Sequence, residues 1–305
     1  MSTFITKIDK IGDPFVLLKD GIYYMYATSP AEANGFKVWT SKDLKEWDLA
    51  GQCYQKTDDC FGYCDFWAPE VKYNEKTKKY VMHYSARDKQ TNVLKTGVAT
   101  ADSPLGPFVD AVKGKPMFDF GKDIATIDAT CFVDDDGQAY LYFVKDCSMN
   151  VINGVHTSQI YCAKLTDDFL SLNGEIKLIS TPDQEWEISR SAEWQWNEGP
   201  YVVKHNGKYY MTYSSNCFDC AFYSVGVAIS DSPMGKFVKE QDNPVLAYIE
   251  GITSGPGHNM FFNDKNGNMT CAYHIHTDRV HPGADRTVAF SPAYFKDGKL
   301  VIDYK

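Results

Sequence analysis

One phrase occurs five times along this chain, and its spacing restricts the fold more than any other feature. A proline or an acidic residue opens a short apolar strand, a polar turn follows, and an aromatic strand returns. The copies run from Asp13-Pro14-Phe15-Val16 to Tyr23-Tyr24-Met25-Tyr26, and from Pro69-Glu70-Val71 to Tyr80-Val81-Met82-His83-Tyr84. The third runs from Asp128-Ala129-Thr130-Cys131-Phe132 to Tyr140-Leu141-Tyr142-Phe143. The fourth runs from Glu198-Gly199-Pro200-Tyr201 to Tyr209-Tyr210-Met211-Thr212-Tyr213, and the fifth from Gly257-His258-Asn259-Met260-Phe261 to Met269-Thr270-Cys271-Ala272-Tyr273. Counted from Asp13, Glu70, Asp128, Glu198 and His258, the steps are 57, 58, 70 and 60 residues. Short strands repeating at this period predict a propeller. If the five opening residues are equivalent, radial symmetry brings four acids and a histidine to one mouth of the central channel.

Each copy continues into a third strand: Lys37-Val38-Trp39-Thr40, Thr96-Gly97-Val98-Ala99-Thr100, Ile160-Tyr161-Cys162-Ala163, Gly226-Val227-Ala228-Ile229 and Thr287-Val288-Ala289-Phe290. The hairpin turns between the first two strands are explicit, among them Asp20-Gly21, Asp136-Gly137, Asn206-Gly207 and Asn266-Gly267. Asp-Gly and Asn-Gly between apolar runs are strong hairpin signals, because glycine accepts positive φ without a Cβ clash. The expectation is an all-β, five-bladed β-propeller with four-stranded antiparallel blades, spanning residues 1–305 as one domain. Twenty tyrosines and 18 phenylalanines fit strands better than helices.

Charge and composition exclude other classes. A net charge of −9 repels phosphate backbones, so no nucleic-acid partner is expected. No apolar run approaches the roughly 20 residues that span a bilayer, so no membrane partner is expected either. Met1-Ser2-Thr3-Phe4-Ile5-Thr6-Lys7 lacks the apolar stretch of a signal peptide. Nine irregularly spaced cysteines, several inside apolar strands, read as free thiols of a cytoplasmic protein. Cys60/Cys64 and Cys217/Cys220 are too far apart in sequence for a zinc ribbon. Asp134-Asp135-Asp136-Gly137 is a hairpin turn rather than an EF-hand, since the twelfth position is Lys145.

The residues that remain carry chemistry. Asp13 before Pro14 and Asp128 before Ala129 are ordinary turn formers taken singly. Glu198 before Gly199-Pro200 has less reason to sit in a tight turn, and a lone histidine such as His258 is commonly structural. Their shared depth in separate repeats points instead to a titratable cluster, which costs stability and so indicates function. Phe66 and Trp67, and Trp194 and Trp196, flank these positions, either as packing between blades or as flat faces for sugar C–H groups. Arg286 is either a surface arginine or a guanidinium that holds a carboxylate or a substrate hydroxyl.

In order and spacing these motifs resemble glycoside hydrolase family 43, five-bladed β-propeller enzymes that act on arabinose- and xylose-containing plant-wall glycans. The resemblance is carried by Asp13-Pro14 with Tyr23-Tyr24, Trp67-Ala68-Pro69-Glu70-Val71, Ile127-Asp128-Ala129-Thr130, Glu198-Gly199-Pro200-Tyr201 and Gly255-Pro256-Gly257-His258-Asn259. It implies that Asp13 is the general base, Glu198 the general acid, and Asp128 the carboxylate that orients the acid and adjusts its pKa. It also implies that Arg286 lies near the acid and substrate and that His258 reaches a calcium ion largely through water; with Arg286, the residues Phe66, Trp67, Glu70 and Trp196 are expected to meet the substrate. Asp-Ala-Thr stands where Asp-Pro-Ser or Asp-Pro-Thr is commoner, and Glu70 where Asp is frequent.

The expected activity is therefore inverting hydrolysis of an oligosaccharide or polysaccharide, with an exo-acting α-L-arabinofuranosidase first. β-Xylosidase and endo-arabinanase are the alternatives within the family, and a sugar-binding propeller is the non-hydrolytic one. A phosphorylase is disfavoured because few basic residues lie beside the motifs, and a sialidase because Asp-box turns are missing. The long stretch from Lys145 to Trp196 contains the largest insertion in the repeat, which is expected to wall the site into a pocket and so to favour exo action. Sequence leaves the oligomeric state open.

Overall fold

The computed structural model describes residues 2–28, 30 and 34–305. Five antiparallel sheets form the five blades of a β-propeller. Blade 1 is Gly12–Lys19, Ile22–Thr28, Gly35–Ser41 and Asp48–Gln55. Blade 2 is Gly62–Asn74, Lys79–Asp88, Leu94–Ala101 and the two-residue strand Val109–Asp110. Blade 3 is Thr126–Val133, Ala139–Lys145, Gln159–Leu165 and Leu172–Ser180. Blade 4 is Glu198–His205, Lys208–Ser215, Ser224–Ser230 and Val238–Lys239. The first strand of each blade packs against the first strand of the next, and that of blade 5 against that of blade 1, so the ring closes.

Closure uses a strand that the repeat pattern did not reveal. Blade 5 takes Gly257–Asn263, Met269–His276 and the long Arg286–Lys296 from the end of the chain, and borrows Phe4–Asp9 from the beginning. Phe4 pairs with Phe290 and Ile5 with Ala289, while Lys299–Ile302 pairs with the far half of the same long strand. The Phe4 ring stacks on Phe290 at 5.2 Å. Each blade buries a face against its neighbour, as the mixed membership of the apolar clusters records. Phe36, Tyr54, Phe66 and Tyr84 interlock between blades 1 and 2, ring centroids 5.0–6.3 Å apart. Burying a phenylalanine contributes about 1.5–3 kcal/mol, and Phe36 and Phe66 are fully buried.

The same irregularity interrupts all five inner strands. Pairing with the second strand skips from Gly12 to Phe15, Trp67 to Glu70, Ile127 to Thr130, Glu198 to Tyr201 and Gly257 to Met260, while the partner advances by one residue fewer. Each skip is a β-bulge, which bends the strand and re-aims a side chain. The first bulged residue is Asp13, Ala68, Asp128, Gly199 and His258 in turn, with φ of 53°, 45°, 55°, 52° and 47°. Left-handed backbone is least costly for Gly, Asn, Asp and His, and four of the five positions obey that preference.

The bulge corrects the expected alignment. Glu70 is not equivalent to Asp13; it lies two residues past the bulge position, which Ala68 occupies. Glu198 is one residue ahead of its own bulge position, Gly199. The acids are therefore not five copies of one placement.

Candidate active site

Each bulge leaves a backbone N–H out of the ladder, and four of the five find their acceptor in the same way. Ala68 N–H donates to Thr28 Oγ1 (2.9 Å), Asp128 N–H to Ser85 Oγ (3.1 Å), His258 N–H to Ser214 Oγ (2.8 Å) and Asp13 N–H to His274 Nδ1 (3.1 Å). Every acceptor sits on the second strand of the preceding blade, paired opposite Trp67, Glu198 and Gly257 in the cases of Ser85, Ser214 and His274. Thr28 is paired opposite Gly12 in the same way. In blade 3 this position is Val144, opposite Ile127, and it has no acceptor. The Gly199 N–H donates instead to Asp128 Oδ2 at 2.9 Å. Buried donors need partners, so one apolar residue puts the Asp128 carboxylate against the backbone that follows Glu198.

Asp13, Trp67, Asp128, Glu198, His258 and Arg286 line a single cavity of about 980 Å³ at one end of the channel, together with Trp196. Sequence reasoning named all seven. Two other named residues lie elsewhere. Phe66 belongs to the aromatic core between blades 1 and 2, because its alternate-facing neighbour Trp67 takes the cavity side. Glu70 sits past the bulge outside the cavity lining, where its Oε2 accepts the Thr130 hydroxyl at 2.5 Å.

Asp13 and Glu198 have opposite surroundings. Burial raises the Asp13 pKa, but Arg286, His258 and His274 outweigh it and hold the carboxyl well below its ordinary value. Arg286 Nη1 donates to Asp13 Oδ1 at 2.8 Å, and the Thr28 hydroxyl donates to Oδ2. His258 Nδ1 lies 3.3 Å from Oδ1. Gly12 leaves room for the guanidinium: a Cβ there would come within 2.1–2.5 Å of three Arg286 atoms. On the opposite face Arg286 lies over the Phe218 ring, 4.8 Å from its centre.

Glu198 has no basic partner among the described residues. Burial first, then the Asp128, Asp146 and Asp13 charges, push its pKa well above the ordinary value, against a hydrogen bond from Tyr223. Asp128 itself is raised to about 6 by burial, with His258 opposing and Asp13 adding to the rise. The cavity thus favours the ionised form of Asp13 and the protonated form of Glu198.

The segments that follow blade 3's second and fourth strands build a wall of this cavity. Val151–Ile152, Val155–Thr157 and Trp194–Gln195 form a small sheet, and Trp194 stacks on His156 at 3.9 Å. Asp146, Cys147 and Ser148 face the cavity from the first of these segments, and Trp194 and Trp196 from the second. Asp146, Tyr223, Thr28 and His274 were not singled out from sequence. Thr28, Ser85, Ser214 and His274 lie in the later part of the returning strands, directly after Ala27, Tyr84, Tyr213 and Tyr273. That recurring polar residue was the available signal.

A calcium ion near His258 would draw its ligands largely from water. Calcium takes six to eight oxygen ligands, whereas His258 presents Nδ1 to Asp13 and Asp128, at 3.3 and 3.9 Å. Among the described residues no group of three or more His, Cys, Asp or Glu is arranged to hold a metal ion. All nine cysteines are free.

Comparison with known proteins agrees with this arrangement. Residues 8–300 match the family described as glycosyl hydrolases family 43. The crystal structure of a thermostable family-43 glycoside hydrolase is 44% identical, covers 99% of this chain and 96% of its own, and superposes with a TM-score of 0.93. An endo-1,4-β-xylanase structure from Bacteroides thetaiotaomicron is 34% identical with a TM-score of 0.83, covering 96% and 94%. A β-D-galactofuranosidase, xynD, of Aspergillus niger is 28% identical over 308 residues, covering 95% of this chain and 81% of its own length.

Proposed function

This chain belongs to family 43 of the glycosyl hydrolases, and from that premise we propose that it removes terminal L-arabinofuranose units from arabinose- and xylose-containing glycans with inversion. Asp13 is the general base and Glu198 the general acid. The reading is carried by one observation: two buried carboxyls face one cavity with their pKa values displaced in opposite directions. Environments that separate two titratable groups in this way assign acid and base.

Glu198 delivers its proton to the glycosidic oxygen as the bond from that oxygen to the anomeric carbon breaks. Asp13 takes a proton from water, and the water oxygen bonds to the anomeric carbon on the opposite face. The products are a free sugar of inverted configuration and the alcohol of the leaving chain. Proton exchange with solvent resets both groups. Asp128 raises the acid's pKa by its charge and, through the Gly199 amide, holds the backbone beside it. Arg286 keeps Asp13 ionised. Trp67, Trp194 and Trp196 offer flat faces to sugar rings. The wall built by the insertion supports exo action, and the likeness to a galactofuranosidase supports a five-membered ring; β-xylosidase action is the nearest alternative.

Hydrolysis of nitrophenyl α-L-arabinofuranoside, nitrophenyl β-D-xylopyranoside, linear arabinan and arabinoxylan tests the substrate, with NMR of the first-formed anomer testing inversion. The arabinofuranoside is expected to turn over fastest, giving the inverted sugar. Faster cleavage of the xylopyranoside, or internal cleavage of arabinan, overturns the specificity; a retained anomer overturns the roles. Glu198→Gln should cost at least about 100-fold on unactivated glycosides with melting unchanged. Near-normal turnover there removes Glu198 from the acid's role.

A further inference from the structure

Tyr223 has no part in the steps above, yet its hydroxyl is the one hydrogen-bond donor to the Glu198 carboxyl among the described residues, at 2.8 Å from Oε1. Its ring is 1% exposed. One face of that ring lies parallel to His274, interplanar angle 1° and centroids 5.5 Å apart. His274 Nδ1 in turn lies 3.2 Å from Asp13 Oδ1. The two rings therefore bridge the two carboxyls. Space for Tyr223 is reserved by Gly257, where a Cβ would come within 2.1 Å of the ring.

We propose that Tyr223 is the positioning residue of the acid: it occupies Oε1 of Glu198, leaves the proton on Oε2, and with His274 spaces Glu198 from Asp13. The inference rests on the reading of Glu198 as the acid. A protonated carboxyl carries its hydrogen on one oxygen only, and the oxygen that accepts the phenol is the other one. The spacing matters because the gap between the carboxyls decides whether a water fits between base and sugar. The groups facing Glu198 are Tyr223, the Asp13, Asp128 and Asp146 carboxylates, and the Cys147 and Cys217 thiols. Those facing Tyr223 are Glu198, Asp13, Asp128, His274 and the Ser214 hydroxyl.

Tyr223→Phe keeps the ring and removes the donor. A phenol O–H favours the charged carboxylate, so its loss raises the acid's pKa further. The alkaline limb of the pH–rate profile should move up. Turnover of an alkyl arabinofuranoside should fall roughly tenfold, while a dinitrophenyl arabinofuranoside, whose leaving group needs no proton, should be nearly unaffected. Replacing Tyr223 with 3-fluorotyrosine, a stronger donor of nearly the same shape, should move the limb down, and serves alone should the Phe variant fail to fold. Equal losses on both substrates, or limbs that stay in place, make Tyr223 a packing residue and overturn the proposal. Glu198→Gln, run in parallel, separates the two claims. If it keeps activity on the alkyl substrate, the acid assignment fails; if it does not, the Tyr223 result stands on its own.

Discussion

Blades 1 and 4 build the same bulge and use it in opposite ways. In blade 1 the left-handed residue is Asp13 itself, turned toward Arg286, Thr28 and two imidazoles. In blade 4 the left-handed residue is Gly199, and the carboxyl comes one residue earlier, from Glu198, among other carboxylates and a phenol. Backbone geometry is nearly identical, with φ of 53° and 52°. What differs is the sign of the neighbouring charge. One cavity therefore pushes the two carboxyls in opposite directions, one toward its ionised form and the other toward its protonated form, and the bulge supplies placement while its neighbours supply chemistry.

Removing the ionised member should have the largest effect. Asp13→Asn is expected to lower turnover about 10³-fold, and equally for alkyl and dinitrophenyl arabinofuranosides, because water activation does not depend on the leaving group. A loss confined to alkyl substrates would exchange the roles of the two blades. Arg286→Gln removes the largest of the contributions that together outweigh burial at Asp13. With that partner gone the base's pKa rises, so the acid limb of kcat/KM should move up by about 1–3 pH units; an unmoved acid limb breaks the electrostatic contrast between blades 1 and 4.

Asp128→Asn removes the charge beside Glu198 while leaving an oxygen for the Gly199 amide. The acid's pKa should fall, drawing the alkaline limb down by about one pH unit. Glu70 supplies a control outside the cavity. Burial raises its pKa to about 8. The unfolded chain ionises it above its ordinary value near 4.5, so stability is full below that pH and declines as pH rises toward 8. Glu70→Gln should therefore add on the order of 1–3 kcal/mol at about pH 9, nothing at about pH 4, and leave kcat alone. A change in kcat would return Glu70 to the substrate site.

The five hairpins, their turns and the cavity residues Asp13, Asp128 and Glu198 were legible because each depends on local pattern. Glu70 was misaligned because the anchor was the acid rather than the proline. Pro14, Pro69 and Pro200 all occupy the second bulge position, and the residues before them are Asp13, Ala68 and Gly199. Phe4–Asp9 escaped because its partner lies at the other end of the chain. Tyr223 and His274 escaped because their meaning depends on a contact between blades, which no spacing within one repeat encodes. Asp146 looks like the end of a strand until the insertion folds back over the channel.

The protonation states of the two carboxyls can be read directly. In protein with ¹³C-labelled Asp and Glu carboxyl carbons, one Glu signal, absent in Glu198→Gln, should report a protonated carboxyl at about pH 6, while the signal absent in Asp13→Asn stays ionised. Finding both ionised at that pH, or Asp13 protonated and Glu198 charged, would contradict the account.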